Sequence, residues 1–391
     1  MRLHGVVVVL IVSVCLCIYA PVLTADEGDS SKDDAEEFLG HFNPYGNFLI
    51  HAAFANDEIE IQNSASWVGL QFSAGDRIKT FARVEWEVNL VKGTQLNLGA
   101  STVGGFAEFS EDPTEVFGSR LGLIGVDLGR PGRFIIGKQF SPYYDIAGFT
   151  ADRWNVFGGQ GSLAYPAGTD GGRTGTGRAD QALVYRVSLL RILDLGAMAQ
   201  FENATNDKVG DGYGVSARVT VIQGLVVGIA YTLNVHGAEI REDVTGIEGD
   251  GNYLIGGAKY TGGIVEVGAV VSTQTNGDVV RYDAGGDPDS FVPLVFDGSG
   301  FELFAKVHLG NFAPVGGLVL YEPKSDSPLL AEDFRTRYAI LGAEWYMMPN
   351  AYLYGEWRID DSITATGVAE PSILTLGIRY GFSGSGKHGV Y

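Results

Sequence analysis

Cysteine is almost absent from the chain. Two occur among 391 residues, Cys15 and Cys17, both inside an N-terminal apolar stretch. Beyond that stretch no thiol remains for a redox motif or a Cys-rich zinc site. Basic residues are also scarce, with 27 Lys+Arg against 47 Asp+Glu and a formal net charge of −20. Such acidity excludes a nucleic-acid partner, whose phosphates require a basic surface. Past residue 23 there is no long hydrophobic run, and the mean hydropathy is only +0.09, which excludes a multispan helical membrane protein. Methionine is limited to 4 residues, whereas glycine reaches 56, tyrosine 18 and phenylalanine 21. That balance favours strands and turns over helices.

The N-terminus reads as a targeting peptide. Arg2 supplies the positive region, Val6 to Tyr19 is apolar apart from Ser13, and Leu23-Thr24-Ala25 offers a cleavage site before Asp26. The apolar stretch is at the short limit for a permanent helical anchor and is broken by Pro21. A lipoprotein cut before Cys15 would want a small residue where Val14 stands. The expected division is therefore a signal peptide over 1–25, an acidic flexible leader over 26–44, a membrane domain over 45–382 and a tail over 383–391. Between Asp26 and Glu37 the leader holds seven acids and one lysine, a solvated composition.

From Tyr45 onward apolar residues recur with period two. Ala82, Val84, Trp86, Val88 and Leu90 alternate with Arg83, Glu85, Glu87 and Asn89, and Leu374, Leu376, Ile378, Tyr380 and Phe382 alternate with Thr375, Gly377, Arg379 and Gly381. Each such segment is a strand with one apolar and one polar face. The pattern predicts sixteen, near 46–55, 65–75, 79–91, 117–128, 132–140, 179–188, 192–202, 212–221, 225–234, 252–261, 264–273, 300–309, 314–322, 337–346, 350–359 and 372–382. Connections after the even strands are tight, as at Gly75-Asp76-Arg77 and Gly262-Gly263, and those after the odd strands are longer, up to the stretch from Ser141 to Arg178. Short turns at one end, long loops at the other and an even strand count describe an all-β, 16-stranded antiparallel transmembrane β-barrel. A soluble sandwich or propeller also alternates, but long loops would not fall on every second connection. Sixteen strands enclose a lumen too wide for side chains to fill. Arg83, Glu85, Glu87, Lys259, Lys306, Arg358 and Arg379, with Trp67, are expected on its wall.

At this level the chain is similar to the general diffusion porins of Gram-negative outer membranes, over nearly all of its mature length. Glu85-Trp86-Glu87-Val88-Asn89 resembles a motif of the family's third strand. Tyr144-Asp145, Gly148-Phe149-Thr150, Asp152 and Phe157-Gly158-Gly159 resemble its constriction loop. The resemblance implies a third loop folded into the barrel, carrying carboxylates opposite a ladder of arginines and a lysine. Carried over singly, Asp152 matches one loop carboxylate, and Val156 stands where a glutamate is usual. Arg120 and Arg178 match wall arginines, whereas Trp67 and Asn47 stand where a third arginine and the lysine would be. Arg153 and Asp145, with Arg173 and Asp170, join the expected constriction. The resemblance further implies a homotrimer in outer-membrane lipid and lipopolysaccharide that passes small hydrophilic solutes and ions, with no cofactor.

Other signals lead nowhere. Gly381 to His388 nearly spells a phosphate-binding loop, but His388 replaces the Ser/Thr and only three residues follow. Asp283, Asp287 and Asp289 offer oxygen ligands for calcium, although a solvated charge run explains them better. No histidine lies in a local triad motif, so no enzyme is expected. The outer connections are acidic, at Asp57, Glu58 and Glu60, at Glu108, Glu111, Asp112 and Glu115, at Glu239, Glu242, Asp243, Glu248 and Asp250, and at Asp278, Asp283, Asp287, Asp289 and Asp297. An acidic vestibule enriches cations, so weak cation preference is expected. A substrate-selective channel would show a run of aromatics or lysines, and none is visible in the sequence. A closed surface barrel acting as adhesin or receptor is the remaining alternative.

Overall fold

The computed structural model describes residues 41–91, 95–97, 108–110, 117–165, 170, 172, 174–201, 212–235, 249–283, 291–324 and 330–383. The signal peptide, most of the leader, Arg173, Glu111 to Glu115, Glu239 to Glu248, Asp287, Asp289 and the tail from 384 lie outside them. The strands are β1 (His41–Ala55), β2 (Glu58–Asn63), β3 (Trp67–Ala74), β4 (Lys79–Val88), β5 (Gln95–Asn97), β6 (Glu108–Ser110), β7 (Phe117–Asp127), β8 (Arg133–Phe140), β9 (Arg178–Leu189) and β10 (Leu193–Gln200). They continue with β11 (Gly212–Ile222), β12 (Leu225–Asn234), β13 (Gly251–Gly262), β14 (Val265–Asp283), β15 (Phe291–Val307), β16 (Phe312–Lys324), β17 (Thr336–Met348), β18 (Ala351–Asp360) and β19 (Ile373–Ser383). One short helix, α1 (Tyr144–Ala147), lies between β8 and β9.

All neighbouring pairs are antiparallel, and β19 pairs with β1 from Tyr45↔Ser383 to Phe54↔Leu374. The sheet is therefore closed and presents no unpaired edge to lipid. β2 and β3 are two halves of one strand, broken near Ala65, where φ is 48°. β5 and β6 form a separate hairpin, which leaves a sixteen-stranded barrel. Period two puts Ile124, Ile136, Ile229, Val271, Leu341 and Leu376 outside, each more than half exposed. A continuous apolar belt of that kind is stable only against hydrocarbon.

Three boundaries differ from the sequence reading. β1 begins at His41, inside the stretch read as leader. The first outer connection is not a loop but a two-residue hairpin at Asn56-Asp57, both left-handed at φ 50° and 66°, the geometry that matches strand twist. Glu58 and Glu60 are consequently strand residues paired with Ala55 and Ala53. β14 and β15 run to Asp283 and from Phe291, well past 273 and before 300, because the pairing Val279↔Val295, Val280↔Leu294 and Tyr282↔Val292 extends the ladder. Gly and Asp in that segment masked the signal. At the opposite end the turns are tight. Gly75 takes φ 89°, and a Cβ there would run into the Ile78 carbonyl, so only glycine fits.

Candidate functional site

The described residues of the connection from Ser141 to Gly177 turn into the barrel. Its neck is closed by the Ser141 amide on the Gly177 carbonyl at 2.9 Å, and α1 then turns the chain along the inner wall. Ile146, Ala147, Phe149 and Ala151 pack with Ala230, Ile255 and Val270 of β12, β13 and β14. Farther on, Trp154 and Phe157 pack with Phe304, Val315, Val319 and Ile340. Gly268 and Gly300 make room for this path, because a Cβ at either would strike the carbonyl of Phe149 or Gly161.

Two wall carboxylates fasten the loop. Glu302 on β15 accepts the Gly159 amide at 3.1 Å and the Ser162 amide at 3.1 Å. Glu356 on β18 accepts the Asn155 amide at 2.7 Å, its Nδ2 at 3.0 Å and the Val156 amide at 3.0 Å. Both are buried, and among the described residues neither forms an ion pair. Amide N–H groups balance each charge instead. Ser64 Oγ donates to the Asn155 carbonyl at 2.7 Å and Ser272 Oγ to the Gly161 carbonyl at 2.7 Å. Tyr338 donates to Gln160, and Tyr352 to Asn155 Oδ1 at 2.9 Å. The loop thus reaches from β8 across to the β1/β2 wall. The sequence singled out neither Glu302 nor Glu356, because no local motif marks a carboxylate whose partners are amides 140 to 201 residues away.

The loop carries the expected charges to different places. Asp152 is exposed, takes a left-handed φ of 57°, and accepts hydrogen bonds from the hydroxyls of Tyr144 and of Tyr165, the latter at 2.7 Å. Burial, and then the Asp152 charge, pushes both phenols above their ordinary range, so both remain donors. Asp145 pairs with Arg186 of β9 at 3.1 Å and accepts from Ser216 of β11 at 3.1 Å. Arg153 pairs with Glu266 of β14 at 2.9 Å. Those two residues therefore tie the loop to the wall. Asp170 receives Lys138 at 2.8 Å and Arg178 at 3.4 Å.

The wall left bare by the loop is charged. Arg83 and Arg120 both pair with Glu85, and Arg83 also donates to the Tyr45 hydroxyl. Arg120 occupies a bulge in β7, since Glu85 pairs with Leu121 and Trp86 with Ser119, and bulges re-aim side chains. Its guanidinium lies over Trp67 at 5.0 Å and Phe140 at 6.0 Å, and Phe140 stacks on Tyr144 at 4.4 Å. Arg120 and Asp152 are thereby linked through the Phe140–Tyr144 pair. Arg178 lies within Coulombic range of Asp152 and Glu87. Lys306 pairs with Glu344 and sits 5.7 Å from the Tyr346 ring. Arg379 donates to Asn47 and Tyr352.

Two expectations are corrected. Arg358 is not on the wet wall; it is 1% exposed, paired with Asp360 and 4.2 Å from the Tyr338 ring. Inward aromatics do form a belt. Tyr346 meets Tyr352 at 4.9 Å, Tyr352 meets Tyr354 at 6.4 Å, and Tyr45 meets Trp67 at 5.3 Å. The β17–β18 hairpin assembles the first group and the β1–β3 pairing the second, each from alternate residues of neighbouring strands, so no continuous run appears in sequence.

A family model of Gram-negative porins matches residues 51–386. The chain belongs to that family. This porin is 23% identical over 363 residues to the outer membrane porin F of Xenorhabdus nematophila, across 86% of this chain and 91% of the relative. It is 26% identical over 298 residues to the outer membrane porin N of Escherichia coli strain K12, across 68% and 75%. Among solved structures it superposes on Salmonella typhi OmpF in complex with daunomycin with a TM-score of 0.67 at 18% identity, covering 88% of this chain and 98% of that one. An anion-selective porin from Comamonas acidovorans gives 0.63 at 17% identity, covering 88% and 100%. At these identities the solved structures establish the barrel. Family membership establishes an outer-membrane porin.

Proposed function

We propose that this porin is a passive, water-filled channel for small hydrophilic solutes and ions, narrowed by the Ser141–Gly177 loop and weakly cation-preferring. The observation that carries the reading is the double fastening of the loop on Glu302 and Glu356, which holds it inside the lumen opposite the Arg83, Glu85 and Arg120 wall. Fixed charges on two sides of a narrow wet passage create a transverse field that aligns polar solutes and disfavours apolar ones. In this reading Asp152, Arg178 and Arg120 border the passage with Glu87, Trp67, Lys306 and Arg379, while Asp145 and Arg153 brace the loop. Outer acids such as Asp250 and Asp297 enrich cations at the mouth within a Debye length of about 10 Å at 0.1 M salt.

A homotrimer in lipid and lipopolysaccharide is part of the same proposal; a solved barrel of the same fold, OmpT of Vibrio cholerae, is described in a trimer form. Export through a cleaved peptide over 1–25 is consistent with the outer-membrane destination. The test is single-channel conductance in a planar bilayer, with the reversal potential in a KCl gradient. Stepwise conductance with cation selectivity supports the reading, while a folded barrel that conducts nothing leaves an adhesin or receptor in its place.

A further inference from the structure

Several cations on the lumen wall have a carboxylate partner, and among the described residues Arg379 does not. Lys306 has Glu344, Arg83 and Arg120 share Glu85, and Arg178 and Lys138 share Asp170. Arg379, on the last strand, has only neutral partners among the described residues. Its Nε donates to Asn47 Oδ1 at 3.0 Å, its Nη1 donates to the Tyr352 hydroxyl at 3.1 Å, and its guanidinium lies 5.8 Å from the Tyr352 ring. The strand register turns it inward, since Leu376, Ile378 and Tyr380 are exposed on the lipid side. The Tyr352 hydroxyl that accepts from it also donates to Asn155 of the fastened loop, so the cradle is held rigid from both sides.

From this arrangement we infer that Arg379 is a subsite for small carboxylate solutes within the lumen. A guanidinium has five N–H donors in a rigid fork. Asn47 and Tyr352 take two, and among the described residues nothing accepts from Nη2. That leaves donors suited to a bidentate carboxylate. The surroundings admit such a guest. On the adjoining wall Arg83 and Arg120 offset Glu85 and Glu87, so no net negative charge opposes the guest there, and Glu344 is engaged by Lys306. Glu356, two inward positions beyond Tyr352 on β18 (Tyr354 lies between), has its oxygens taken by Asn155 and Val156. A solute carboxylate docking here exchanges water for charge-assisted hydrogen bonds and leaves again, because the site is wet and makes no cage. The inference rests on the channel reading above and adds a solute class to it.

The test uses the mature porin in a planar bilayer at 0.1 M KCl, with succinate titrated and its concentration-dependent reduction of single-channel current recorded. The parent is expected to show saturable reduction. R379Q should weaken the apparent affinity about tenfold, and Arg379→Lys, which keeps the charge but loses the fork, should weaken it several-fold. Tyr352→Phe removes the acceptor that aims Nη1 and should weaken it by a smaller factor. Barrel folding of each variant is checked by heat-modifiable mobility, and R379K with Y352F carries the test if R379Q does not fold. Parental affinity in R379Q overturns the subsite. Parental affinity in R379K overturns the cradle geometry, since charge alone then explains the effect. A parent without conductance overturns the channel reading itself, whereas a conducting parent indifferent to succinate overturns only the subsite.

Discussion

The inner surface of this barrel has two unlike halves. Where the loop packs, the inward residues it meets on β12 to β17 include a run of apolar ones, Ala230, Ile255, Val270, Phe304, Val315 and Ile340. On β1, β3, β4, β7 and β19 they are Tyr45, Trp67, Arg83, Glu85, Arg120 and Arg379. Both halves follow the same alternation and both are apolar outside. The difference lies in what each meets. The first wall is the floor of a small hydrophobic core whose other side is the loop, and the second wall meets water. Charged residues also stand on the covered side, but each has a partner: Glu302 and, on β18, Glu356 accept loop amides, Glu266 takes Arg153 and Lys259, and Glu344 takes Lys306.

The strongest way to break this contrast is to remove the cover. Deleting Ala151 to Gly168 takes away every loop partner of Glu302 and Glu356 and exposes the apolar floor. Conductance should rise, on the order of a doubling, and larger sugars should pass, because a sixteen-strand lumen is wide without its loop. Unchanged conductance in a folded deletion would place the loop outside the passage.

A finer cut leaves the loop but loosens it. Glu302→Gln with Glu356→Gln halves the acceptor oxygens and turns charge-assisted bonds into neutral ones, each of which contributes roughly 1 kcal/mol less. Increased current noise and faster proteolysis within Trp154 to Ser162 are expected, and parental behaviour in both assays would show that packing alone holds the loop.

The contrast is sharpened at its boundary by Asp152→Asn. Two unit charges ~8 Å apart at an effective dielectric near 20 interact by ~2 kcal/mol, and by about a quarter of that in bulk-like water. Selectivity should shift toward anions at low salt and the shift should fade near 1 M, where screening acts within about 3 Å. If both D152N and Arg120→Ala leave the reversal potential unchanged, selectivity belongs to the outer acids. The smallest effect is expected from Ser64→Ala, which removes one hydrogen bond to the loop at Asn155 and costs roughly 1 kcal/mol. Thermal stability should fall slightly with conductance unaltered.

How much of this could be read in advance follows from the physics of each level. Alternation is local, so the sixteen strands and the closed barrel were legible. Composition near the turns was less reliable. Asn56-Asp57 reads as a loop until both residues are seen to be left-handed, and the long β14–β15 ladder hides behind glycine and aspartate. The site was half legible. The loop residues around Asp152 stood out, whereas the fastening at Glu356, the foot at Asp145–Arg186 and the belt from Tyr346 through Tyr352 to Arg379 did not.

The chain alone determined which face of each strand meets lipid, because side chains alternate with a period that any segment displays by itself. It likewise determined the family, through residues spread over 51–386. Only the tertiary structure decided which inward charges meet each other or water. Closure sets Leu49 beside Arg379 and brings Asn47 within hydrogen-bond reach of it, and the folded loop brings Asn155 to Glu356 across 201 residues. Those contacts depend on where the loop comes to rest, and no local pattern encodes the far wall it must reach.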